Sequence, residues 1–150
     1  VQGAIYDFVS DKLYHAEKGK GAFCNDEKIH VGNRPLAGAY MGWETHLEKP
    51  ENMSLYMKMR KQCVLFKTVS SGFELAMVAS GKLDGRVCFD PYGKIYDFAP
   101  GALLVQEAGG VVANIGSTTY DYRNVNFIAT NKKIFDELTA GPDAILPIGQ

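Results

Sequence analysis

The sequence predicts an α/β fold built on a mixed sheet, and three observations carry that expectation. From Val64 onward, short apolar runs alternate with helical stretches of about ten residues. Before them, between Val1 and Val31, two stretches of alternating polarity read as hairpins. Across all 150 residues, 46% are hydrophobic and 22% charged, the balance of one globular domain. A chain of this length buries about 68–70% of its unfolded surface, so neither a disulfide nor a structural metal is required.

In chain order, Val1–Phe8 and Lys12–Glu17 alternate around Val9-Ser10-Asp11 and form the first hairpin. Gly19-Lys20-Gly21 breaks the chain. Ala22–Cys24 and Lys28–Val31 form a second, shorter hairpin around Asn25-Asp26. Arg34-Pro35-Leu36 is loop, and Ala39–Trp43 a short strand. Glu51–Gln62 carries Met53, Tyr56, Met57 and Arg60 at helical spacing, with Pro50 placed to start the helix. Val64–Lys67 is a strand. Ser71-Gly-Phe-Glu74 fits a capping box opening a helix to Ser80, which Gly81 ends in the C′ position. After a turn at Asp84-Gly85 comes a strand, Gly85–Phe89. Asp97 opens the next helix as its N-cap, with Pro100 in the first turn, and Gly109-Gly110 close it after Ala108. Val111–Asn114 and Phe127–Thr130 are strands, and Lys132–Ala140 the last helix. Residues 1–36 read as hairpins and 37–150 as the α/β part of the same unit.

Several function classes drop out. A net charge of −1 gives no general pull toward nucleic acid or an anionic membrane. No apolar run approaches the roughly 20 residues of a membrane span. The three cysteines, Cys24, Cys63 and Cys88, are odd in number and lack a CxxC, which suits reduced thiols in a cytoplasmic protein. His15, His30 and His46 share no ligand spacing. Gly19-Lys20-Gly21 lacks both the dinucleotide and the Walker spacing and reads as a turn. Sequence order alone shows no Ser-His-Asp or Cys-His arrangement. The chain starts at Val1 with no signal peptide, in what reads as a strand in progress, so it is expected to be a piece of a longer protein.

Two positions have both a plain and a chemical reading. Asp97 is either a helix N-cap or a carboxylate held at the C-terminal edge of a sheet, where α/β folds place ligands. Ser70 and Ser71 put two hydroxyls at a helix N-terminus, which suits a cap and equally an anion or a polyol.

Val69-Ser-Ser-Gly-Phe-Glu-Leu-Ala-Met-Val-Ala-Ser-Gly-Lys-Leu-Asp-Gly85 resembles the G-S-A-A-x-D/E-L-x-x-V-A-x-G-x-x-D-G segment of the inositol monophosphatase family. Tyr96-Asp-Phe-Ala-Pro-Gly-Ala-Leu-Leu-Val-Gln-Glu-Ala-Gly-Gly-Val112 is similar to its second signature, W-D-x-A-A-G-x-x-L-x-x-E-A-G-G. Gly3–Tyr6, Ala16–Asn25 and Phe127–Asn131 resemble further family segments, in family order. The resemblance implies a layered helix/sheet sandwich of the sugar-phosphatase type, of which this chain is the C-terminal half. It implies a lithium-sensitive, Mg²⁺-dependent hydrolase acting on a phosphate monoester, and it is compatible with a homodimer.

By the same resemblance, Asp97 stands at a metal-ligand position, with Tyr96 in place of the usual tryptophan. Val69, Ser70 and Ser71 stand where family members contact substrate, although Val69 replaces a glycine. Asp90, seven residues before Asp97, matches an acidic residue that binds substrate hydroxyls. Counting forward from Asp84 places Cys88 there instead, because the 84–97 loop is two residues longer than in typical members. Asp90 is preferred because only a carboxylate accepts hydrogen bonds from a diol. The family's paired-glutamate and Asp-Pro-x-Asp-Gly-Thr motifs do not occur, and Asp90-Pro91-Tyr92-Gly93-Lys94 only echoes the second. The expectation is that the parent protein hydrolyses inositol monophosphate, with fructose-1,6-bisphosphate and 3′-phosphoadenosine 5′-phosphate as alternative substrates. The longer loop favours the dual inositol/fructose type. The opposing reading is a non-catalytic fragment or binding module.

Overall fold

A computed structural model describes residues 1–68 and 70–149. Strands β1 (Gln2–Asp7), β2 (Lys12–Glu17), β3 (Gly21–Cys24) and β4 (Glu27–Lys28) form an antiparallel sheet in that order. The period-2 pattern turns Tyr14 and Ala16 of β2 inward. A second sheet holds β5 (Tyr40–Glu44), β6 (Val64–Lys67), β7 (Gly85–Cys88), β8 (Val111–Asn114) and β9 (Phe127–Thr130), in the order β6-β5-β7-β9-β8. Its β6, β5 and β7 are parallel, and β9 runs antiparallel to both β7 and β8. The mixed sheet predicted from the sequence is therefore present.

Four helices complete the layers: α1 (Pro50–Arg60), α2 (Ser71–Ala79), α3 (Ile95–Glu107) and α4 (Lys132–Thr139). Alternation along the central strands divides the core in two. Cys88, Val112, Phe127 and Ala129 face α2, α3 and the hairpin sheet. Val87, Ala113 and Ile128 face α1 and α4. The order is thus hairpin sheet, helix pair, mixed sheet, helix pair. Helices α2 and α3 pack so closely that a Cβ on Gly101 would lie 2.5 Å from the Leu75 side chain.

Several boundaries and roles differ from the sequence reading. The second hairpin strand ends at Lys28 rather than Val31: Ile29 N–H still bonds Ala22 O, but Val31 N–H leaves the sheet for Ala108 O beyond the end of α3. Helix α1 forms, but its inward face carries Asn52 and Met59, while Met53, Met57 and Arg60 face water. Ser71 is not the N-cap of α2. Ser70 occupies that position with no side-chain bond, and Glu74 is drawn into the interior by Arg86 and Thr68. Asp97 likewise lies inside α3, whose N-cap is Lys94. Pro100 sits in the body of that helix, where it lacks the N–H of one helical bond. Gly3 of β1 packs on it, and a Cβ there would approach Pro100 Cα to 3.1 Å.

Candidate functional site

Three parallel strands end on the same edge of the mixed sheet, and their connections gather the predicted residues. β5 ends at Glu44, and β6 leads into α2 with Ser70 and Ser71 at its start. β7 leads through residues 89–94 to α3, with Asp90 in that loop and Asp97 in the first helical turn. This is the edge where parallel α/β sheets present loops to ligands. Val69 lies outside the described residues.

Asp97 is exposed, and its Oδ2 accepts the Lys94 N–H at 2.7 Å. That leaves Oδ1 outside the capping bond. Asp90 has a left-handed backbone, with φ of 50°. Its Oδ2 accepts from Lys49 Nζ at 2.6 Å and from Asn52 Nδ2 at 2.8 Å, and its N–H donates to Asn126 Oδ1 at 2.7 Å. The Lys49 hydrogen bond, then that of Asn52, holds its carboxyl below the usual range. Asp90 is therefore tied to α1 and to the loop before it. Beside it, the His46 ring lies 3.8 Å from that of Tyr92, and His46 Nδ1 is 2.7 Å from Glu48 Oε1. Cys88, the other candidate for the acidic position, is fully buried; burial pushes its thiol up to about 12.

Behind these side chains lies a buried ion cluster that the sequence reading did not anticipate. The Arg86 side chain is fully buried and pairs with both Glu44 and Glu74, themselves 3% and 4% exposed. Nη1 also donates to the Thr68 hydroxyl, Nη2 to Ser71 Oγ at 3.0 Å, and Nε to Cys88 Sγ at 3.3 Å. Glu44 uses its other oxygen, Oε1, to accept the Gly93 N–H at 2.8 Å, and Ser71 Oγ donates to Glu44 Oε2 at 3.3 Å. The signal was present in the sequence: a lone arginine between Gly85 and Val87 in an apolar strand, and a glutamate closing another. Charges in such places are buried only when paired.

Among the described residues, no group of three or more His, Cys, Asp or Glu side chains is arranged to hold a metal ion. Mg²⁺ takes near-octahedral oxygen coordination. The described residues do not supply such a shell, and Asp97, the expected ligand, is an exposed carboxylate with one oxygen outside its capping bond.

A model of the inositol monophosphatase family matches residues 1–142. The chain belongs to the inositol monophosphatase family. It is 37% identical over 114 residues to a fructose-1,6-bisphosphatase/inositol-1-monophosphatase of Thermococcus kodakarensis, covering 76% of this chain and 42% of that protein. Among solved structures it resembles the extragenic suppressor protein suhB of Bartonella henselae, with TM-score 0.78 and 30% identity over 89% of this chain and 52% of that one. It also resembles the inositol monophosphatase of Anabaena, with TM-score 0.79 and 28% identity over 91% and 58%. The chain spans about half the length of the relatives it matches. Among the described residues no helix is long and apolar enough to cross a membrane.

Proposed function

We propose that the complete protein hydrolyses a phosphate monoester of inositol or of a related sugar or polyol. In this reading, residues 1–150 supply the substrate-side wall and one metal ligand. The supporting observation is the convergence of three connections at one sheet edge, bringing Ser70, Ser71, Asp90 and Asp97 to the ends of β6 and β7. Ser70 is exposed and uncapped, so its hydroxyl is available to a ligand. Asp90 Oδ1 takes no part in the contacts to Lys49 and Asn52, and it can accept from a substrate hydroxyl. Asp97 is the residue of this chain assigned toward Mg²⁺, and the remaining ligands are assigned to an upstream segment. Mg²⁺ held there would supply charge neutralisation at the phosphate and a polarised water.

One finding supports fructose-1,6-bisphosphate as a second substrate: the name of the Thermococcus relative joins fructose-1,6-bisphosphatase to inositol-1-monophosphatase. Cys24, Cys63 and Cys88 are all free, which suits a reducing compartment and the cytoplasmic assignment. A homodimer belongs to the same reading.

Phosphate release from inositol monophosphate with Mg²⁺ tests the proposal. The 150-residue chain alone is expected to show no turnover and to bind Mg²⁺ in the millimolar range or more weakly by calorimetry, since one carboxylate does not offset dehydration of the ion. In the complete protein, Asp97→Asn is expected to lower activity by orders of magnitude with the fold intact, because an amide oxygen still accepts the Lys94 N–H. Robust turnover by the isolated chain, or a fully active Asn variant, overturns the site assignment. A complete protein inactive on inositol monophosphate, fructose-1,6-bisphosphate and 3′-phosphoadenosine 5′-phosphate alike supports the binding-module alternative.

A further inference from the structure

Arg86 is fully buried and cannot touch a substrate, yet each of its three guanidinium nitrogens is engaged. Its partners are not scattered through the core. Glu44 ends β5, Thr68 follows β6, Ser71 and Glu74 lie in the first turns of α2, and Cys88 ends β7. Through Glu44 Oε1 the cluster also holds the Gly93 N–H in the 89–94 loop. That loop passes close: a Cβ on Gly93 would lie 2.4 Å from Phe98 Cζ and 3.2 Å from Glu44 Oε1. One guanidinium thus joins the start of α2 to the loop that carries Asp90 and delivers Asp97.

We propose that Arg86, acting through Glu44, is a positioning residue that sets the 89–94 loop against Ser71, so that the groups on both sides of the site share one frame. The alternative is a core ion cluster with no bearing on the site. Stability gives little reason for such a cluster, because well-packed apolar residues of similar volume are often at least as stabilising as a buried ion pair. The planar fork of arginine matters here: it spans two carboxylates and two hydroxyls, whereas a lysine offers one compact charge on a flexible stem.

The substrate half of the inference rests on the phosphatase reading; the structural half does not, and the experiment separates them. Amide hydrogen exchange is read by NMR in wild type, Arg86→Lys and Glu44→Gln. Exchange at Gly93 is expected to accelerate about tenfold or more in both variants, while Phe135 and Leu138 amides in α4 stay at the wild-type rate. Acceleration of equal size in α4 means the cluster only stabilises the fold, and an unchanged Gly93 means the link is not functional; either overturns the proposal. The Gln variant keeps side-chain shape and serves if the Lys variant does not fold.

In the complete protein, kcat/KM on inositol monophosphate is expected to fall about 10–100-fold in Arg86→Lys, chiefly through KM, as for losses of outer-shell partners. Unchanged kinetics in a folded Lys variant overturns the positioning role. A wild type with no phosphatase activity, combined with the local exchange signature, overturns the phosphatase reading and leaves the positioning link standing.

Discussion

Helix α3 is secured by a glutamate at each end, and the two work under opposite conditions. At its C-terminal end, partly exposed Glu107 reaches out of the helix and accepts the N–H groups of Gly19 and Gly21, each at 3.0 Å. The expected Gly19-Lys20-Gly21 turn is thereby clamped between the hairpin sheet and the helix. At the N-terminal end, buried Glu44 reaches in from β5 to hold Gly93, just before the helix starts. The first carboxylate is partly exposed and is held by backbone donors. The second sits in a low-dielectric interior and is tolerated only with Arg86 beside it. The Glu107 clamp is two separate bonds that can be lost one at a time, whereas the Glu44 bond rests on a buried ion cluster.

The largest effect is expected at the buried end. Arg86→Leu removes the cation facing Glu44 and Glu74, and breaking such a cluster costs about 3–5 kcal/mol in urea unfolding. Replacing Glu44, Glu74 and Arg86 together with apolar residues is expected to recover most of that loss, since no buried charge then remains. A mild Arg86→Leu variant would erase the contrast between the two ends.

Glu107→Ala comes next. It deletes two charge-assisted hydrogen bonds, with an expected loss of about 1–3 kcal/mol at neutral pH. The Gly19 N–H, followed by that of Gly21, lowers the Glu107 carboxyl below its ordinary value. Its stabilisation is therefore full above the unfolded value of about 4.3 and fades as pH drops through the lower folded one. Wild type and Glu107→Ala should converge in urea midpoint toward acid pH. A gap that stays constant down to that range would mean the carboxylate charge is not what holds the turn.

The two ends also differ in how far the sequence disclosed them. The turn at Gly19-Lys20-Gly21, the strands and all four helices follow from local signals: alternation, apolar runs and the glycines that end α2 and α3, Gly81 and Gly109, both at positive φ. Ser71 and Asp97 were placed one and three positions outside the helix relative to where they sit, because Ser and Asp are good caps and their pull toward other elements is not local. For α1 the helical spacing is legible in the sequence but the inward face is not: Asn52 is the residue drawn inward, by His46 O at 3.0 Å and by Asp90, while Met53 and Met57 are exposed. Glu44, Glu74 and Arg86 come from three separate elements, and only the tertiary fold shows that they meet.

A neutral cap supplies the reference for both ends. The side chain of Asn131 accepts the Ile134 N–H at 2.9 Å at the start of α4, and its amide donates to Arg34 O at 3.0 Å. Asn131→Ala should cost about 1 kcal/mol, the usual value for a lost N-cap. With no titrating group at the position, the cost should be flat between neutral and acid pH. A deficit that shrinks with acidity, as at Glu107, would show that acid convergence reports general weakening rather than one carboxylate.

The smallest stability effect is expected at Ser70, beside the buried cluster but outside it. Ser70 stands at the N-cap of α2 without a side-chain cap bond, and the tie it makes back to Glu74 runs through its backbone N–H at 3.4 Å. Its neighbour Ser71 behaves differently, since that hydroxyl is shared with Arg86 and Glu44 and its removal reports on the cluster. Ser70→Ala is therefore expected to change unfolding free energy by less than about 0.5 kcal/mol, as for a substitution with no structural mechanism. If the hydroxyl serves a substrate, the same change should raise KM for inositol monophosphate in the complete protein with a smaller effect on kcat, because ground-state binding is what is lost. Denaturant melts paired with steady-state kinetics decide the matter. A destabilised Ser70→Ala protein with unchanged kinetics would make Ser70 part of the fold-holding apparatus and move the boundary of the site inward to Ser71.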